Sequence, residues 1–134
     1  MSEAGVVGSK KPGKAVYITG WVITALMAFV FIGSGFMKAT AKGPEFEEAI
    51  GKMGFTPQHI QQLAIVEFVC VAIYLIPQTA VIGAILLTGY MGGAICTHFR
   101  ADENFVLQAS IGVLVWLGIF LRDRRLWALM PLRK

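Results

Sequence analysis

The sequence predicts an all-α membrane protein, a bundle of four transmembrane helices with a short amphipathic surface helix between the first and the second. Three observations carry this. Of the 134 residues, 56% are hydrophobic and only 15% are charged, a balance that soluble domains of this size do not show. No Lys, Arg, Asp or Glu falls between Lys14 and Lys38, between Glu67 and Arg100, or between Glu103 and Arg122. Those gaps are filled with Val, Ile, Leu, Phe and Ala, at the length that about 17–25 residues of membrane-spanning helix require. The chain is also too short for two domains of ordinary size, so residues 1–134 read as a single membrane unit.

The first helix is expected over about residues 15–37. Lys10, Lys11 and Lys14 precede it like the start of a signal peptide. Its apolar run, however, exceeds the roughly 7–15 residues of a secretory core, and a retained helix is expected. The connection at residues 39–59 is the only long one. Gly43-Pro44 marks a helix start, and Phe46, Ile50 and Met53 recur at helical spacing among Glu45, Glu47 and Glu48. That pattern predicts a short helix lying on the membrane surface; a loosely ordered polar loop is the alternative.

The second helix is expected over about 60–76, with Thr56 as cap and Pro57 in the first position, and Pro77 stops it. The third follows at about 79–98 after a turn of a few residues, which makes the two an antiparallel hairpin. The fourth covers about 105–121. Spans this short need interfacial residues to complete the crossing. Four crossings put both termini on one side. That side, with the basic tails 1–14 and 122–134, holds eight Lys and Arg, against Lys38, Lys42, Lys52 and Arg100 opposite. The bias predicts a cell-membrane protein with cytoplasmic termini.

The net charge of +4 does not point to nucleic acid, because the basic residues sit at segment ends, where they meet lipid headgroups. Cys70 and Cys96 lie in different apolar segments without C-x-x-C spacing, and each is expected to be a buried structural thiol; a redox pair is the weaker reading. Gly89, Gly92, Gly93 and Cys96 share a face of the third helix at about 100° per residue. In lipid, helix association depends on close backbone approach, so another helix is expected against this stripe.

Glu67 is the residue that the composition least explains. It lies about seven residues inside the second helix, and an ionisable group at that depth normally faces the bundle interior, paired or protonated, and marks a functional site. Leu63, Ala64, Glu67, Cys70, Val71 and Tyr74 share the face that projects inward; Ile65, Phe68, Val69, Ala72 and Ile73 project to lipid. On the first helix Thr24, Met27, Phe31, Ser34 and Lys38 form a stripe. Ser34, Lys38, Glu67, Cys96, Arg100 and Gln108 can then converge on a polar pocket, joined by His98 if the third helix unwinds near its end. The plainer alternative makes Glu67 a salt-bridge staple to Lys38 or Arg100.

The segments "FIGSGFMK", "AIVEFVC", "LLTGYMGGAICTHFR" and "RDRRLWALMPLR" together resemble the DoxX-like proteins, small four-helix membrane proteins, over about residues 15–133. The resemblance implies a polar site at Lys38, Glu67, Thr97, His98 and Arg100. It also implies a place in membrane redox systems, as a quinone-interacting or accessory subunit beside a redox partner protein. In that reading Glu67 and His98 do proton chemistry, while Ser34, Lys38, Thr97, Arg100 and Gln108 bind the ligand. A scaffold or assembly factor is the alternative. A small-molecule carrier stands behind both, since no inverted repeat or broken helix is visible. Homo-oligomers fit any of these. The sequence carries no haem or metal signature and no nucleotide-binding glycine loop, and His59, His98 and Glu67 lack metal-ligand spacing.

Overall fold

The computed structural model describes residues 13–132, so the outer parts of both basic tails fall outside the described residues. Five α-helices follow one another: α1 Lys14–Thr40, α2 Pro44–Lys52, α3 Pro57–Leu75, α4 Ala80–Arg100 and α5 Val106–Arg122. The helix α1 packs on α3 and α5, and α4 packs on the same two. Up-down-up-down connectivity in that ring makes every packed pair antiparallel. The lengths of α1, α3 and α4, with their apolar composition, suit membrane crossing. The fourth long helix, α5, has 17 residues, about 25 Å at 1.5 Å per residue.

The outside of the bundle is as apolar as the inside. Phe29, Phe36, Met37, Ile65, Val69, Ile82, Ile85 and Val113 are all exposed. In water such a surface would drive association; in a bilayer it is the surface that lipid wets. This is an integral membrane protein.

The helices α1, α3 and α4 are longer than the sequence pattern suggests, while α5 keeps the expected length one residue further on. Local chemistry sets their ends. The helix α1 runs on to Thr40 and ends where Ala41 turns extended (φ −65°, ψ 132°); Gly43, whose φ of 115° is left-handed backbone that only glycine adopts freely, then sets the start of α2. At the start of α3 the Thr56 hydroxyl accepts from the His59 N–H at 3.3 Å, and the Thr56 N–H donates to His59 Nδ1 at 3.2 Å. This reciprocal cap sets the first turn of α3 at Pro57, three residues earlier than Ile60. The α3–α4 turn is one 3₁₀ turn, Pro77–Thr79, as tight as a hairpin requires. The amphipathic helix is present: Ile50 is buried, Phe46 and Met53 are half-buried, and Glu45, Glu47 and Glu48 are exposed.

The inward face of α3 is the expected one. Ala64, Glu67, Cys70, Val71 and Tyr74 are buried, with Ile65, Val69 and Ala72 exposed. The α1 stripe also holds, with Thr24, Met27 and Phe31 buried. The close helix contacts, however, use other glycines than the expected ones. A Cβ added to Gly83 would stand 2.3 Å from the Tyr74 backbone, and one on Gly118 would stand 2.8 Å from Thr24 Oγ1. A Cβ at Gly89, Gly92 or Gly93 would meet nothing within 4 Å. That stripe is therefore not a contact between helices of this chain. The buried stripe of α4 is Ala80, Gly83, Ala84, Leu87 and Met91, rotated away from the Gly92 edge. Cys96 is exposed while Cys70 is buried, so only one of the two thiols is the buried group expected.

Candidate functional site

Glu67 sits at mid-depth on α3 with 1% of its surface exposed. Two groups from opposite neighbours meet its Oε2. Lys38 Nζ from α1 lies at 2.9 Å, and the Tyr90 hydroxyl from α4 donates at 3.1 Å. Lys38 also donates to Ser34 Oγ, one turn earlier on its own helix. Its ammonium stands 5.8 Å from the centroid of the Tyr90 ring. Three helices are thereby tied to one carboxylate oxygen. A charge buried in lipid-surrounded protein needs such partners, since a bare one costs several kcal/mol.

Beside this cluster lies a cavity of about 510 Å³ at the α2 end of the bundle. Ser34 and Lys38 line it from α1, Met53 and Phe55 close it from the segment after α2, and Ile60 and Leu63 come from α3. Helix α4 contributes Gly89, Tyr90, Met91, Gly93, Ala94, Thr97 and His98, and α5 adds Leu107, Gln108 and Ile111. Most of this lining is apolar. The polar side chains are few: Ser34, Lys38, Tyr90, Thr97, His98 and Gln108. Gln108 Oε1 is buried there without a hydrogen-bond partner. Gly89 and Gly93 leave open space where side chains would otherwise fill the cavity.

The residues singled out from sequence divide as follows. Ser34, Lys38, Thr97, His98 and Gln108 all line the cavity. Glu67 does not line it, and reaches it only through Lys38 and Tyr90. Arg100 is exposed and stands outside the lining, while His98 lines the cavity with α4 helical through Arg100. Both outcomes reverse the sequence projection for one reason. Continuing the buried α4 stripe Leu87–Met91 by helical steps reaches Ala94 and then His98, whereas the projection was anchored on the glycines. His98 Nδ1 pairs with Glu103 Oε2 at 2.8 Å, and Thr97 Oγ1 donates to the Gly93 carbonyl at 2.9 Å. Tyr90 was missed; a tyrosine inside an apolar run carries no pattern of its own, and only the position of Glu67 opposite reveals it. Among the described residues no three His, Cys, Asp or Glu side chains gather into a metal-ion site.

A small helical membrane protein with an intramembrane ion pair beside an apolar cavity is the class that this fold and site define. The DoxX-like family model matches residues 22–120, which reaches from within α1 to within α5, and the chain belongs to the DoxX-like family. No curated protein and no solved structure gives a significant match.

Proposed function

We propose that the chain is a membrane subunit that binds a lipid-soluble ring compound, a quinone headgroup being the class that fits, in the cavity at the α2 end. The observation that carries this reading is the Lys38–Glu67–Tyr90 cluster at the wall of an apolar cavity of about 510 Å³. Small-molecule sites have this composition, apolar walls with a few convergent polar groups, and volumes of roughly 300–1,000 Å³. Lys38 has three N–H donors. Two are used on Ser34 and Glu67, which leaves one for a ligand carbonyl. Gln108 Oε1 offers an acceptor for a ligand hydroxyl. Glu67 is joined to the cavity by two side chains that line it, so it can hold a proton close to the ligand without touching it. A bound quinone would supply two-electron, two-proton redox chemistry, with the electrons assigned to a partner protein. The Lys and Arg bias supports cytoplasmic termini, which puts the cavity in the outer leaflet.

One observation favours a second reading, that of a scaffold. Glu67 Oε2 is fully engaged within the chain and ties α1, α3 and α4 together, as a staple would. Extraction in mild detergent, followed by mass spectrometry of the co-purified lipids, separates the two. The binding reading expects a quinone to travel with the wild-type protein and to be depleted from Gly93→Leu, whose new side chain would enter the cavity. Equal traces of quinone in both proteins would favour the scaffold.

A further inference from the structure

At the opposite end of the bundle, where α5 runs into the C-terminal turn, a second and separate cavity of about 250 Å³ is bordered by Tyr17, Trp21, Pro77, Arg122, Asp123 and Arg125. Its charges are unevenly matched. Asp123 is taken by Arg125, whose Nε and Nη2 donate to the two carboxylate oxygens at 3.0 and 2.8 Å. Arg122 has no ion pair among the described residues. Its guanidinium lies 4.1 Å from the centroid of the Trp21 ring and 6.0 Å from that of Tyr74. Its Nε and Nη2 are buried without an acceptor. Gly20 makes this placement: a Cβ there would stand 2.9 Å from the Arg122 backbone N and 3.0 Å from Arg122 Cβ. The fold thus presses a cation between aromatic rings with no free counter-charge beside it among the described residues.

Stacking on aromatic faces attracts a guanidinium but does not neutralise it. A half-buried cation whose neighbouring carboxylate is already paired, with no other carboxylate at hand among the described residues, calls for an anion. The rest of the wall is apolar, with two aromatic rings, Tyr17 and Trp21, that meet edge to face at 6.5 Å. Aromatic residues of that kind mark the membrane–water interface. Phosphate is the anion abundant at that depth, and guanidinium is the side chain that matches phosphate geometry best. We infer that this cavity is an anion site that receives a singly charged phosphate group on Arg122, with Arg125 held back by Asp123 as a partial second contact. The phosphate can come from an anionic lipid headgroup or from free phosphate in solution.

The test uses the full chain in a zwitterionic detergent, with binding followed by tryptophan fluorescence and by the thermal unfolding midpoint. One arm titrates phosphatidylglycerol against phosphatidylcholine, whose own ammonium masks its phosphate; the other titrates inorganic phosphate against chloride at equal ionic strength. Saturable binding of phosphatidylglycerol alone assigns a lipid; saturable binding of inorganic phosphate assigns a soluble anion. In either case Arg122→Gln should weaken the response about tenfold or more. Asp123→Asn should strengthen it by freeing Arg125, and Arg125→Gln should weaken it by baring the Asp123 carboxylate. Those two exposed-end variants decide the matter if Arg122→Gln does not fold. No saturable response to either probe, or equal affinity in the wild type and all folded variants, overturns the site.

Discussion

Glu67 is the residue on which the bundle turns, because its burial is affordable only with Lys38 and Tyr90 in place. Glu67→Gln keeps the side-chain shape, drops the charge, and leaves Lys38 room to reach its open cavity edge. It should remain folded and lose any ligand-linked activity. Glu67→Ala strands Lys38. Removing one partner of a fully buried pair costs about 3–5 kcal/mol; Lys38 is 27% exposed, so a loss of about 2 kcal/mol is expected from denaturation in detergent. Lys38 and Glu67 were legible in the sequence because a charge inside an apolar run has no neutral explanation. Tyr90 was not, and neither was the dismissal of Arg100, since a cation at a helix end can point to solvent or inward with equal ease. At the far end, the Arg125 guanidinium beside Asp123 holds the Asp123 carboxyl below the usual carboxylate range. A depressed carboxyl contributes stability above its unfolded pKa of about 4, and that contribution is lost as pH falls through the folded value. Arg125 is exposed and Asp123 is half-buried, so with solvent screening the effect should be under about 1 kcal/mol. The wild type should lose that increment in unfolding midpoint below about pH 4, and Asp123→Asn should not.

Among the helices, the sequence showed existence and order well, because charge gaps and the prolines at 44, 57 and 77 punctuate the chain. Boundaries were less legible, since the extended backbone at Ala41, the left-handed backbone at Gly43 and the cap at Thr56 decide them by geometry rather than by hydropathy. The glycines show the limit most plainly. Those within the four long helices all lie in apolar runs, yet only some meet another helix. Gly83→Ala should force α3 and α4 apart at Tyr74 and cost about 2–3 kcal/mol. Gly92→Ala should be neutral or slightly stabilising, because the new methyl meets nothing and alanine favours helix. Comparing thermal unfolding of the two in detergent by circular dichroism checks this; equal losses would mean that α3 and α4 are not packed as described.

At the scale of the whole molecule, the bundle keeps its two polar places at opposite ends and gives lipid the rest. That division follows from the charge pattern, and so does the expected orientation. With Cys70 and Cys96 replaced, a cysteine at Lys52 should react with a membrane-impermeant thiol reagent on intact cells and one at Lys10 should not. The reverse pattern would turn the cavity toward the cytoplasmic leaflet. The cavity itself was only partly legible. Its polar residues stand out in the sequence, but its open volume is bounded by Gly89 and Gly93 on α4 together with Leu107, Ile111 and Phe55 from two other segments, a relation no single helix pattern contains. The most direct test of the account is a titration of a short-chain quinone into the purified protein, read by isothermal calorimetry, for wild type, Lys38→Met and Gly93→Leu. Saturable one-to-one binding to the wild type is expected, with about tenfold weaker binding to Lys38→Met and none to a fully folded Gly93→Leu. Undiminished binding to a folded Gly93→Leu, or no binding to the wild type, would contradict it.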